Sequence, residues 1–294
     1  RIPMSPTLAR LFVFLQRLTP KYLLTALVRY VARIRVITIK DFLIARFIAL
    51  YDIEVHELRH PVPSGFTTLN DFFIRALVDG ARPVDPSHDS IVSPVDGTVS
   101  AAGRIDRRRI FQAKGLDYSL TDLLATDVEE AERYVDGAFA TIYLAPYNYH
   151  RVHAPVAGKL VAARYVPGAL FSVNDMTVRN LPGLFARNER LVCHIHTALG
   201  PMAIIFVGAL NVGTISTRWT GDVSPRRSGV VENIDLRDAA DALSFGKGDT
   251  LGWFNMGSTV ILLLPPGSGD AFAGLNTGAR VRTGEPIGRF GKAE

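Results

Sequence analysis

From Ser90 onward the chain is written in short apolar runs separated by glycine and proline, and this texture constrains the fold more than any other feature. Ile91–Val92, Thr98–Val99, Phe139–Leu144, Lys159–Tyr165, Met202–Val207 and Val260–Leu264 are too short for buried helices and are bounded by turn residues. β-Branched and aromatic side chains suit a pleated surface, and such closely spaced turns favour antiparallel neighbours. The expected class is α+β: a mainly antiparallel β-sandwich core with amphipathic helices at the N-terminus. Two helices are expected to interrupt the strands. One spans residues 116–135, on Leu120, Leu123, Leu124 and Val128, and a short one spans Thr177–Phe185.

Two internal echoes suggest a duplicated core. Pro94-Val95-Asp96-Gly97-Thr98-Val99 parallels Pro155-Val156-Ala157-Gly158-Lys159-Leu160, and Gly248-Asp249-Thr250-Leu251-Gly252 parallels Gly284-Glu285-Pro286-Ile287-Gly288. A Pro-x-x-Gly turn entering a strand, paired with a Gly-acid-x-aliphatic-Gly strand, resembles the hammerhead units of biotinyl- and lipoyl-type sandwiches. The chain is long enough, at 294 residues, to bury a large core. Its single cysteine, Cys193, excludes an intrachain disulfide and a cysteine-based zinc site.

The net charge of +5 is gathered at one end. Arg1, Arg10, Arg17, Lys21, Arg29, Arg33, Arg35, Lys40 and Arg46 face Asp41 alone within the first 50 residues. Leu8, Leu11, Phe12, Leu15 and Leu18 recur at helical spacing, as do Leu24, Leu27, Val28 and Val31, and a third apolar stretch runs from Phe42 to Tyr51. Basic, strongly apolar helices too short to span a bilayer are the pattern of segments lying in a membrane interface. An ordinary helical subdomain with its apolar faces packed together is the competing reading. Nucleic acid is disfavoured because large aliphatics interrupt the basic residues. The chain so divides into a basic amphipathic region, 1–60, and a β-rich domain, 61–294.

Three groups of residues could carry chemistry. Gly257-Ser258, after Met256, places a hydroxyl nucleophile behind a residue with no side chain to obstruct attack on its own carbonyl. A serine nucleophile needs a base and a group to orient it. His150 and His153 are candidates for the first role, pointing to opposite faces of an extended segment. Asp96 is a candidate for the second, since its turn echoes the one just after His153. His194 and His196 alternate on a strand, but no carboxylate or cysteine at ligand spacing accompanies the four histidines, so no metal is expected.

With these residues in place, the chain resembles the pyruvoyl-dependent phosphatidylserine decarboxylase family, from about Asn70 to the C-terminus. The resemblance is carried by Phe72-Phe73-x-Arg75-x-Leu77 with Arg82-Pro83, by Pro94-x-Asp96-Gly97, and by Gln112-Ala113-Lys114-Gly115. It continues through Tyr149-His150-Arg151-Val152-His153, Tyr165-Val166-Pro167-Gly168, Leu184-Phe185-Ala186-Arg187-Asn188-Glu189-Arg190, Val207-Gly208-Ala209 and Gly257-Ser258-Thr259. Met256 stands where the family most often has leucine, a swap of similar volume.

The resemblance implies a bacterial-type proenzyme whose Ser258 attacks the Gly257 carbonyl. The chain would cut itself into 1–257 and 258–294 and leave a pyruvoyl group, the covalent cofactor, in place of Ser258. Asp96, His153 and Ser258 would form the processing triad, with His150 assisting later steps and no external cofactor required. The pyruvoyl ketone would form a Schiff base with phosphatidylserine and release phosphatidylethanolamine. The implied partners are phosphatidylserine, an anionic membrane surface and the chain's own two fragments as a heterodimer, with homo-oligomerisation left open. The implied location is peripheral, on the cytoplasmic face of an inner membrane. A Ser-His-Asp hydrolase that never cleaves itself and a non-catalytic membrane-tethered module are the alternatives.

Overall fold

The computed structural model describes residues 6–113, 115–210, 214–225, 229–255 and 257–290; Met256 and Lys114 of the motifs above lie outside them. Helices α1 (Pro6–Leu18), α2 (Lys21–Ala32) and α3 (Ile37–Tyr51) come first, followed by the short α4 (Leu69–Phe73). Thr68 caps α4 by accepting from the Asp71 amide at 3.0 Å.

All six predicted strands form. Five of them contribute to a nine-stranded antiparallel sheet whose centre is Ser258–Leu263, flanked by Ala138–Leu144 and Gly200–Val207, while Ile91–Val92 pairs with Pro286–Arg289 in a two-stranded sheet. Every residue of Ser258–Leu263 is buried, as expected of a strand covered on both faces. A smaller sheet, containing Arg151–His153, Ile215–Thr217, Gly221–Val223 and Thr250–Phe254, packs against it, with Phe254 and Phe206 rings 5.5 Å apart.

The sequence echo is a structural repeat. Val92 N donates to Pro155 O at 3.0 Å and His153 N to Pro94 O at 2.8 Å, so the two proline turns bind each other reciprocally. Ser93 exchanges backbone hydrogen bonds with Gly284 and Glu285, and Ala154 does the same with Gly248 and Asp249. The carboxylates repeat as well: Glu285 accepts from the Arg282 amide and Asp249 from the Gly246 amide. Gly248 and Gly284 both have φ of +87°, a left-handed conformation that costs other residues about 1–2 kcal/mol.

Two expected helices are broken. Over 116–135 the chain instead gives the strand Leu116–Ser119 and the helices Leu120–Leu124 and Val128–Ala131. Ser119 and Asp127 each cap a new helix, and Ala125 at φ +50° ends the first. The second splits into Asp175–Asn180 and Leu184–Arg187, parted by Pro182 and by Gly183 at φ +67°. Turn chemistry overrides apolar spacing at both places.

The N-terminal helices divide their faces. Gln16 bonds Thr177 Oγ1 and the Ser172 amide, and Tyr22 OH donates to Gly168 O at 2.6 Å. Ala32 and Ile44 join Ile53, Leu58, Phe66, Leu69 and Phe72 in a second apolar cluster. Leu11, Phe14, Leu15, Leu18, Leu23, Leu27, Ile37 and Phe42 remain exposed. Among the described residues no single helix is long and apolar enough to cross a membrane, and α1 and α2 meet at 79°.

The close packing of the repeat is testable. A Cβ on Gly284 would lie 2.5 Å from Pro83 O, whereas one on Gly278, at φ +86°, would meet nothing within 4 Å. Gly278→Ala should cost about 1 kcal/mol of unfolding free energy and Gly284→Ala at least about 3, by denaturant titration. Equal costs would contradict the backbone contact.

Candidate active site around Gly257 and Ser258

Ser258 opens the central strand opposite Leu144, wholly buried, and its Oγ has no hydrogen-bond partner among the described residues. A buried hydroxyl left unpaired costs on the order of 1–3 kcal/mol, so its presence signals a use other than stability. Gly257 precedes it at φ +66°. Two residues upstream, Asn255 is held by Asn70 Nδ2 on its Oδ1 and by Ser216 Oγ on its Nδ2, both at 2.9 Å. The approach to the Gly257–Ser258 bond is therefore anchored on both sides of Met256.

His153 ends Arg151–His153, a strand of the smaller sheet. Its Nδ1 lies 2.7 Å from Gly248 O, which can only accept, so Nδ1 carries the proton. Nε2 is left as the acceptor and takes the Tyr149 hydroxyl at 3.0 Å. Burial holds the imidazole below its ordinary pKa, and the charges of Asp96 and Asp249 pull the other way. Burial also pushes the Tyr149 hydroxyl up to about 12, which keeps it a proton donor.

Asp96 accepts from Arg82 Nη2 at 2.6 Å and from the Thr283 amide at 2.8 Å. Arg82 also pairs with Glu57, which pairs with Arg282. The structure thus brings Asp96 and His153 into one neighbourhood through the paired proline turns. It does not join them by a hydrogen bond, and the Gly248 carbonyl sets the imidazole tautomer. Thr98 lies opposite Tyr143, and Tyr143 opposite Thr259. Asp96 and Ser258 therefore leave the same end of the sheet with one strand between them, about 10 Å apart.

His150 is completely buried against Phe73, ring centroids 4.0 Å apart. Its Nδ1 faces Asn148 O at 2.8 Å, and its Nε2 has no partner among the described residues. Burial drives its pKa down to about 3, so it is a neutral ring with a bare lone pair. The backbone places it beside the nucleophile's approach, since Phe254 N donates to His150 O. His194 is elsewhere, between Tyr134 OH at 2.8 Å and Glu130 at 3.3 Å, and His196 on the same strand is exposed. The four histidines are not gathered into one cluster.

Beside Asp96 and Tyr149 opens a cleft of about 630 Å³ between the end of α3 and the sheet edge. Arg75, Arg82, Arg280 and Arg282 line it together with Glu57 and Asp96. Arg75 is buried, lowered to about 10 by that burial, and donates to Tyr147 O and Asn148 O. Sequence reading singled out Asp96, His150, His153 and Ser258 but assigned no role to Tyr149, Arg82 or Asn255. Spacing along the chain carries no signal for contacts such as Asn70–Asn255, which turns and sheet order create.

Comparison with known proteins follows the same segments. A family profile described as phosphatidylserine decarboxylase matches residues 69–289, and one described as PSD matches residues 11–52. A phosphatidylserine decarboxylase proenzyme of Hahella chejuensis is 43% identical over 96% of this chain and 94% of its own. Proenzymes of the same name from Methylococcus capsulatus and Acidovorax ebreus are 45% and 46% identical, each over 95% of this chain and over 96% and 97% of their own.

The buried histidine gives a pH signature. His150 binds its proton less readily in the folded chain than in the unfolded one, where its pKa is near 6.5. Its contribution to stability is complete above pH 6.5 and is lost as the pH falls toward 3, by up to about 1.4 kcal/mol per pH unit. Urea unfolding at pH 7 and pH 4.5 should show a smaller loss for His150→Gln than for the parent. An equal loss would mean that His150 is not buried as described.

Proposed function

The chain belongs to the phosphatidylserine decarboxylase family, and from that premise we propose that it builds its own active group by breaking the Gly257–Ser258 bond. Its activity is that of the family, loss of carbon dioxide from phosphatidylserine to give phosphatidylethanolamine. One observation carries the proposal: a wholly buried serine hydroxyl with no partner among the described residues, directly after a glycine in the left-handed conformation.

Attack of Ser258 Oγ on the Gly257 carbonyl turns the amide into an ester. Elimination then frees residues 1–257 as a terminal carboxylate and leaves dehydroalanine at position 258, whose imine tautomer takes up water and releases ammonia to give the ketone. The two fragments remain together as a heterodimer because the central strand stays paired on both sides. His153 is the base in this reading. Gly248 pins its Nδ1 proton, so the lone pair on Nε2 is available once the Tyr149 hydroxyl turns away. Asp96 acts through its charge, which favours the imidazolium that forms. The site suits a pyruvoyl group at position 258, because no polar neighbour is spent on the serine it replaces. Such a group supplies the electron sink that decarboxylation of an amino acid requires, with no external cofactor. His150, neutral and with a bare Nε2 lone pair, is placed to accept a hydrogen bond from the substrate's amine during Schiff-base chemistry.

The cleft and the helices account for the substrate's form. Phosphatidylserine presents two anionic groups and one cation, and the cleft offers four arginines among carboxylates. The exposed apolar faces of α1–α3 would enter the bilayer interface beside their basic residues, each worth about 1 kcal/mol near anionic lipid. This docking would make the enzyme peripheral to the inner membrane.

Intact-mass spectrometry tests the cleavage. The parent should yield fragments 1–257 and 258–294, the second with a pyruvoyl terminus, and Ser258→Ala a single chain. A folded parent that stays whole would sink the proposal. In a separate experiment, deleting residues 1–35 should lower binding to phosphatidylserine-containing liposomes at least about tenfold and leave cleavage largely intact. Undiminished binding would reject the helices as the docking surface.

A further inference from the structure

Two motifs of the sequence remain without a task, Asn188-Glu189-Arg190 and Val207-Gly208-Ala209, and the sheet places them side by side at the cleavage site. Arg190 lies opposite Val207, and Val207 opposite Thr259. One residue further toward the site, Glu189, Gly208 and Ser258 follow one another across three adjacent strands. Directly opposed residues in antiparallel strands point to the same face. Glu189 and Ser258 therefore share a face, and the residue between them has no side chain.

The contacts of Gly208 bear this out. Its amide donates to Glu189 O at 2.8 Å, and a Cβ built on it would lie 3.8 Å from Glu189 Cβ and 4.0 Å from Glu189 Oε2. The glutamate side chain thus passes over the space that Gly208 leaves open. Two strand spacings, about 10 Å, are within the joint reach of a glutamate, a hydrogen bond and a serine.

The surroundings fix the backbone at Glu189 and leave its carboxyl buried and uncharged. Glu189 N is tied to Ala169 O, Asn188 binds both Phe171 and Gly208 O, and Arg190 points away to the carbonyls of Leu123, Ala186 and Asn188. Glu189 is 2% exposed, and burial pushes its pKa up to about 8. The Tyr165 hydroxyl, on the adjoining strand, is the polar group that opposes the shift, and among the described residues no cation does. Burying an acid without a cation is costly, so a purely structural role would be served better by an apolar residue. A neutral carboxyl beside a site where negative charge develops is a strong hydrogen-bond donor.

Resting on the cleavage reading above, we propose that the Glu189 carboxyl reaches across Gly208 and donates a hydrogen bond to the Gly257 carbonyl oxygen as Ser258 attacks it. The bond stabilises the tetrahedral species in which that oxygen bears the negative charge. The proton stays on Glu189, and when the carbon–nitrogen bond breaks the carbonyl re-forms as the ester. Glu189 is thus a catalytic residue of chain maturation, distinct from the base that activates Ser258. Gly208 is the opening through which it works.

The test follows cleavage of freshly synthesised full-length chain by gel and intact mass, beside the thermal melting of each variant. Glu189→Leu should cleave at least about 100-fold more slowly without melting earlier, the loss expected for one missing donor to an oxyanion. Glu189→Gln, which keeps an N–H donor, should fall between Glu189→Leu and the parent. Gly208→Ala should slow cleavage with the glutamate intact. The parent's rate should fall as pH rises through about 8, where the carboxyl ionises, and the Glu189→Gln rate should not. A folded Glu189→Leu that matures at the parent's rate, or the same pH dependence in Glu189→Gln, overturns the assignment. If the parent itself does not cleave, the preceding proposal fails and takes this one with it.

Discussion

The reciprocal hydrogen bonds between the two proline turns, Val92 to Pro155 and His153 to Pro94, are the contact on which the site depends. Each turn feeds a long strand of the main sheet, and each is clamped by a glycine-led strand from elsewhere in the chain. Because the two halves grip each other through backbone atoms, the arrangement tolerates divergence of side chains. Asp96 stands in one turn where Ala157 stands in the other, and His153 occupies the place of Val92. An inherited symmetric frame thus carries an asymmetric pair of functional groups.

Around that frame the protein accepts several unfavourable burials. Among the described residues Ser258 Oγ and His150 Nε2 are buried without partners, and Glu189 is a buried acid without a cation. Each loses solvation that no ion pair returns. The surrounding sheet can bear this because its central strand is entirely buried and paired along both edges. Ser258 opens that strand, Glu189 lies two strands away at the same end, and His150 is tied by its backbone to Phe254 on the approach.

Charge is arranged differently in the cleft and in the helices. In the cleft Arg82 bridges Asp96 and Glu57, and Arg282 joins Glu57, so the ions are held in a connected network. In and around α1–α3 the basic residues are dispersed among exposed aliphatics, and Arg33, just after α2, makes a surface pair with the distant Asp222. The first pattern suits a small zwitterionic headgroup, and the second suits an anionic surface.

The sequence by itself determined the strand positions, the duplicated turns and the Gly257–Ser258 bond, because periodicity and turn chemistry act between near neighbours in the chain. It also marked Asp96, His150 and His153 as candidates. Local reading went wrong where one short-range preference opposed another, as at Ala125 and at Pro182-Gly183, which break helices that apolar spacing would have continued. Only the tertiary structure decided that Gly248 and Tyr149 hold the His153 ring, that Arg82 holds Asp96, and that Glu189 faces Ser258 across a glycine. Partners and burial are set by which strands lie side by side. Residues 189, 208 and 258 become neighbours only when the sheet order is closed.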